Sequence, residues 1–141
     1  MVEIQRVAEF RKLTAHAQPS NFPTNPALAD HCAIAIMQAK ADPASFVRAV
    51  GEALWTHDLQ IADEAVMADL LGSTGHDANA VLKAAKEDGT ADIRMANSKD
   101  AIAADAIGAP AYVYQGEVFR GQDRLEYLDY MLASGRSGFT A

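Results

Sequence analysis

The chain is 141 residues long, about the size of one domain, with 50% hydrophobic but only 7% aromatic residues, a composition that leans toward helix. Its 12 basic and 19 acidic side chains leave a net charge of −7 with no block of Lys or Arg, which argues against a nucleic-acid surface or an anionic membrane as partner. Cys32 stands alone, which rules out an internal disulfide, a Cys-x-x-Cys redox pair and a cysteine-based zinc site within these residues.

The segment Met1-Val2-Glu3-Ile4-Gln5-Arg6 lacks the charged-then-apolar order of a signal peptide. No apolar run approaches the ~18–20 residues of a membrane span, so the expectation is a soluble, cytoplasmic protein. Ile4, Val7, Ala8, Phe10 and Leu13 recur at helical spacing over residues 2–16. Pro19, Pro23 and Pro26 then force a loop over residues 18–26. Asn25-Pro26 suits an N-cap followed by proline at the first helical position, opening a helix over 27–41 with Leu28, Cys32, Ile34, Ile36 and Met37 on more than one face. Asp42-Pro43 repeats that signal for a helix reaching Trp55. Shorter helices follow over 63–71 and 77–86, punctuated by Gly72, Gly75 and Gly89, and another runs over 92–106 and stops at Gly108. Tyr, Val and Phe mark strands at 111–115 and 117–120, turned at Gln115-Gly116. The last helix, 123–133, places Leu125, Tyr127, Leu128 and Met131 inward and ends at Gly135, leaving a loose tail over 136–141. A hairpin alone is marginal without further strands or a covering helix.

Most reactive side chains have a structural reading. His16, His31, His57 and His76 lack metal-ligand spacing, and adjacent His57-Asp58 diverge on a helix, so no metal is expected. Asp63-Glu64 reads as first-turn dipole compensation, Trp55 as a core or inter-helix anchor, and Met37, Met67, Met95 and Met131 as core filling. Two places point further. Pro110 follows Gly108-Ala109 and precedes a strand: it is either an ordinary trans proline at a strand start, or a cis bond that leaves neighbouring backbone groups facing a ligand. Gly121-Gln122-Asp123 opens a helix: Asp123 either caps that helix, or takes an ammonium while the helix N–H groups take a carboxylate, as the head of an α-amino acid requires. Asn97 lies mid-helix, where asparagine has poor propensity, and is either a surface residue or a polar group turned to a cleft.

Ile107-Gly108-Ala109-Pro110 and Phe119-Arg120-Gly121-Gln122-Asp123-Arg124-Leu125 resemble the Phe-Gly-Ala-Pro and Phe-Trp-Gly-Gln-Asp-Arg-Leu motifs of the 2-hydroxychromene-2-carboxylate isomerase family. These proteins are relatives of kappa-class glutathione transferases and DsbA-like oxidoreductases. Asn21-Phe22-Pro23-Thr24-Asn25, Ala53-Leu54-Trp55, Leu59-Gln60-Ile61-Ala62-Asp63 and Asn97-Ser98-Lys99-Asp100-Ala101 are similar to further family segments in the same order. The resemblance implies an α/β, mostly helical fold: the C-terminal part of a thioredoxin-like fold, a β-hairpin plus final helix, with an all-helical insertion. It also implies one incomplete thioredoxin-like domain, with the insertion over 1–90 and the thioredoxin-like part over 91–135. Pro110 is then cis. Ala109, Pro110, Arg120, Gly121, Gln122 and Asp123 bind glutathione, Asn97 approaches a small aromatic carboxylate, and the reaction is a glutathione-dependent isomerisation in aromatic-compound degradation. Arg120 stands where the family has Trp. The family's opening strand-helix-strand, which bears the serine or cysteine facing the glutathione sulfur, has no counterpart among these residues, so no catalytic residue is assigned and the enzyme is read as incomplete.

The alternative is a non-catalytic remnant or dimerising interaction module: without neighbouring strands the hairpin's inner edge is open, which implies a homodimer or a complementing N-terminal fragment. A thiol-disulfide oxidoreductase is disfavoured, because Cys32 lies inside an apolar helix with no partner cysteine.

Overall fold

A computed structural model of the chain describes residues 2–139. Its elements are α1 (Val2–Arg11), α2 (Ala27–Gln38), α3 (Ala44–Trp55), α4 (Glu64–Ser73), α5 (Ala78–Ala85), α6 (Asp88–Ala103), β1 (Ala111–Tyr114), β2 (Glu117–Arg120), a 3-10 turn (Gln122–Arg124) and α7 (Leu125–Ser134). Contacts divide the chain after Arg94, within α6, into two compact units.

The first unit is helical, and its helices begin where short polar side chains satisfy the orphan N–H groups. Asn25 Oδ1 accepts from Ala27 N at 3.0 Å and Asp42 Oδ1 from Ala44 N at 2.9 Å, with Pro26 and Pro43 already at helical φ and ψ behind them. Asp63 accepts from Ala65 N at 2.7 Å and Asp77 from Ala80 N at 3.0 Å. Asp63→Ala is expected to cost about 1 kcal/mol of stability, read as a lower urea midpoint at unchanged slope; no shift would mean water replaces the cap at no cost.

Cys32, Ile36, Phe46, Leu54, Ile61, Met67, Leu71 and Leu82 form the core of this unit. Trp55 packs against it from the end of α3, with the Phe22 ring 5.1 Å away and tilted by 43°. Met67 is buried, but Met37 is exposed, as is Met95 in the second unit, so only part of the expected methionine filling holds. α2 is alanine-rich enough to bury Ala29, Ala35 and Cys32 instead, which leaves the long Met37 side chain to solvent.

Several boundaries differ from expectation. α1 stops at Arg11 and not at residue 16, because His16 N donates to Trp55 O (2.6 Å) and Thr56 Oγ1 to Thr14 O (2.8 Å), fastening that stretch to the end of α3. Phe10 and Leu13 are exposed, and α1 buries none of its residues. Gly72 and Gly89 lie inside α4 and α6 and break neither helix. Thr90, buried in the first turn of α6, donates to Ala84 O at 2.8 Å and sets the α5–α6 corner. His57 and Asp58 lie beyond α3, not on a helix, with Asp58 at φ +54°. The Asp58 carboxylate accepts from Ser20 Oγ (2.6 Å) and N (2.7 Å), while Asn21 Nδ2 donates to Asp58 O (2.8 Å). The Ser20 hydroxyl hydrogen bond holds the Asp58 carboxyl below its usual range and pins the proline loop.

The second unit carries the hairpin. β1 and β2 pair antiparallel with Tyr112 opposite Phe119 and Tyr114 opposite Glu117. Gln115 and Gly116 turn the chain at φ +49° and +80°, the pair of positive angles that a tight hairpin needs. Phe119 and Met131 are buried, joining β2 to α7. Gln122–Arg124 is a 3-10 turn, so α7 starts at Leu125, later than the expected helix. Leu125 and Tyr127 are exposed; one residue is 100° of helix rotation, so the stripe through half-buried Leu128 and Met131 excludes Tyr127. The tail is not loose as far as residue 139. Arg136 clasps Glu117 with both terminal nitrogens at 2.7 and 3.0 Å, and Phe139 N donates to Glu117 Oε2 at 2.8 Å. Residues 140 and 141 lie outside the described residues.

Candidate functional site

The residues assigned to a ligand lie on two segments of the second unit that the fold brings together. Gly121 N donates to Pro110 O at 2.8 Å, tying the start of β1 to the loop after β2. The Ala109–Pro110 peptide is cis; so is Phe22–Pro23 in the first unit, which the sequence does not flag. Gly121 adopts φ +93°, ψ 157°, and the Asp123 carboxylate folds over it into the space a Cβ would occupy. Asp123 does not cap a helix: its carboxylate pairs with Arg124 Nη1 at 3.1 Å, and both side chains are more than half exposed. Ala109, Pro110, Gln122 and Asp123 are exposed, and among the described residues the Ala109 main chain makes no hydrogen bond. The result is an open lip with a free main-chain donor and acceptor on one side and a carboxylate on the other. Asn97, exposed on α6, is not brought to the depression described next.

Beside this lip is an open depression of about 820 Å³ lined by Asp105, Glu117, Phe119, Arg120, Arg124, Tyr127 and Phe139 together with Ala104, Gly116 and Val118. Of the residues assigned from sequence only Arg120 reaches it. Arg120 Nη2 is held by the Asp105 carboxylate and by Asp105 O at 3.0 Å. Arg124 lies over the Tyr127 ring, 5.9 Å from its centroid. Sequence reasoning missed Asp105, Glu117, Arg124, Tyr127 and Phe139. Only Arg124 and Tyr127, three apart at a helix start, carry a local signal; the Asp105–Arg120 and Glu117–Arg136 pairs join positions with none.

The Arg136 guanidinium, with Phe139 N, holds the Glu117 carboxyl below its usual range, and Glu117 in turn raises Arg136. A carboxyl whose folded pKa is depressed contributes stability above its unfolded pKa and loses it as pH falls through the folded value. Relative to its intrinsic rate at each pH, the Phe139 amide is therefore expected to be protected from exchange at neutral pH and to lose that protection as pH falls below the ordinary carboxylate range, and in Glu117→Gln to be less protected at neutral pH. An exchange rate that tracks only intrinsic chemistry in the wild type would show that the clasp does not hold the tail.

Across the described residues no group of three or more His, Cys, Asp or Glu is placed to hold a metal, and no helix is long and apolar enough to cross a membrane. Burial, with a smaller contribution from Glu64, pushes the Cys32 thiol up to about 11, far from a reactive thiolate.

A helical unit, a hairpin entered through a cis proline and a closing helix define a thioredoxin-like protein. The chain belongs to the DSBA-like thioredoxin domain family, whose model matches residues 1–133. Its fold is similar to the solved structure of a selenomethionine-labelled 2-hydroxychromene-2-carboxylate isomerase, with a TM-score of 0.75 at 21% identity over 94% of this chain. The match covers 64% of that protein, so this chain spans less than two thirds of its length. No curated protein matches the chain.

Proposed function

We propose that the chain is a glutathione-dependent isomerase-like protein of the 2-hydroxychromene-2-carboxylate isomerase type, active on aromatic-degradation intermediates and incomplete as an enzyme by itself. The observation that carries this reading is the Gly121 N to Pro110 O hydrogen bond. It ties the residue after Ala109, whose main chain is unpaired, to the glycine over which the Asp123 carboxylate folds, so a main-chain pairing edge and a carboxylate lie on joined segments, as a small peptide with an ammonium group at one end would require. The fold likeness to a solved isomerase supports the choice of reaction class. Glutathione when bound supplies a thiol that adds reversibly to the substrate, permits bond rotation and leaves unchanged. Ala109 and Pro110 would align its main chain, Asp123 its ammonium, and Arg120, Gly121 and Gln122 its remaining polar groups. The group that faces the sulfur would come from outside these 141 residues.

Titration calorimetry tests this. Saturable glutathione binding is expected, and Asp123→Ala should weaken it roughly 10-fold or more, since a hydrogen bond to a charged group contributes about 1.5–3 kcal/mol. Absence of binding, or equal binding by Asp123→Ala, overturns the reading. Turnover by the chain alone is not expected.

A second reading, a self-associating module, is favoured by the composition of β1. Its sequence Ala111-Tyr112-Val113-Tyr114 has no charge to guard its outer edge. A monomer whose Ala111 and Val113 amides are fully protected from exchange would sink this reading.

A further inference from the structure

The depression follows the outer edge of β2. Side chains along a strand alternate between its faces, so a hollow on one face meets every second residue. This hollow is lined by Gly116, Glu117, Val118, Phe119 and Arg120 in unbroken succession and by no residue of β1. Only the edge turned away from β1 is shared by all of them.

That edge is open for pairing. A two-residue turn makes Tyr114 and Glu117 a hydrogen-bonded pair, and alternation makes Tyr112 and Phe119 the next; the Gly121 N to Pro110 O bond continues the series. Val118 and Arg120 therefore turn their N–H and C=O groups outward, into the hollow. Proteins commonly guard such edges with charges, and here the two candidates are tied off: Glu117 by Arg136 and Phe139 N, Arg120 by Asp105. The surroundings specify what fits. Tyr127 and Phe139 present exposed aromatic rings, and among the described residues the Arg124 guanidinium is held only by its exposed neighbour Asp123 and the Tyr127 ring. An exposed pair of that kind contributes little and yields readily to a better-placed carboxylate.

We propose that β2 receives an extended peptide by strand addition. The peptide main chain pairs with Val118 and Arg120, its apolar side chains lie against Tyr127 and Phe139, and one acidic side chain reaches Arg124. Main-chain bonds of this type give affinity, and the flanking side chains give selectivity. The site uses the outer edge of β2 rather than the Ala109–Pro110 main chain, and shares with the lip only Arg120 and, through its pair with Arg124, Asp123, so peptide pairing at Val118 is read separately from glutathione binding.

The probe is an N-acetylated, C-amidated heptapeptide of alternating valine and threonine with a central glutamate, fluorescently labelled and titrated by anisotropy. Saturable binding is expected, with Val118 and Arg120 amides becoming protected from exchange while Ala111 and Val113 do not change. A peptide N-methylated along its pairing edge should bind at least about 10-fold more weakly, because each lost main-chain bond is worth about 1 kcal/mol. Val118→Pro removes an outward donor and no ladder bond, so it should abolish binding with the hairpin intact. Arg124→Gln should erase the preference for glutamate over glutamine at the peptide's centre. Equal binding of the methylated peptide, protection at Ala111 and Val113 instead, or closure of the Val118 edge by a second copy of the chain without peptide would each overturn the proposal.

Discussion

Phe46→Ala is expected to lower the free energy of unfolding by about 3–5 kcal/mol. Phe46 is the largest side chain among the fully buried residues and sits at 1% exposure in the cluster with Ile36, Met67 and Leu71. Removing a phenyl ring there forfeits its transfer free energy and leaves a cavity that neighbours held by several helices fill only in part. Domains of this size have about 5–15 kcal/mol to lose, so the variant sits near the edge of folding. Phe10→Ala makes the control, because Phe10 is 85% exposed and its truncation should change stability by less than about 0.5 kcal/mol. Urea titration followed by circular dichroism separates the two, with a lower midpoint and unchanged slope for Phe46→Ala alone. Equal midpoints would show that the α2–α4 core does not limit stability.

The contrast between those two phenylalanines also marks what could be read from the sequence. Helix starts were legible because they are local chemistry: Asn25-Pro26, Asp42-Pro43, Asp63 and Asp77 announce them, and the structure puts a side-chain acceptor at each. The hairpin was equally legible, since Gln115-Gly116 between β-favouring runs leaves few alternatives. What failed was set by distant partners. Nothing near Leu13 says that Trp55 O and Thr56 Oγ1 will hold that stretch extended, and nothing near Met37 says that alanines will take the core positions around it. The same division runs through the site. The motif residues Pro110 and Gly121 are joined by one main-chain bond. Arg120 instead turns to Asp105, and the tail expected to be loose is clasped by Glu117, an interaction between residues 19 positions apart. Long-range ion pairs leave no periodicity, so sequence spacing does not reveal them.

Gly121→Ala is expected to cost about 1–3 kcal/mol and to disable the lip. At φ +93°, ψ 157° the backbone occupies a region open essentially only to glycine, which accounts for that magnitude. A Cβ there would also run into Asp123 Oδ1, so the carboxylate must swing away or the loop must change its path. Either outcome moves the Asp123 carboxylate off Gly121, and the Gly121 N to Pro110 O bond goes with the second. Two other glycines isolate the causes. Gly135 has φ +66° with open space around its Cβ position, so Gly135→Ala carries a left-handed backbone cost of about 1–2 kcal/mol without a clash. Gly89 is helical and unobstructed, so Gly89→Ala should stabilise by about 0.5–1 kcal/mol. Measured together by thermal unfolding and glutathione calorimetry, the three should separate cleanly: Gly121→Ala loses stability and ligand, Gly135→Ala loses stability only, and Gly89→Ala gains stability and keeps binding. If Gly121→Ala retained full glutathione affinity despite lost stability, the ligand would not depend on the conformation that folds Asp123 over Gly121.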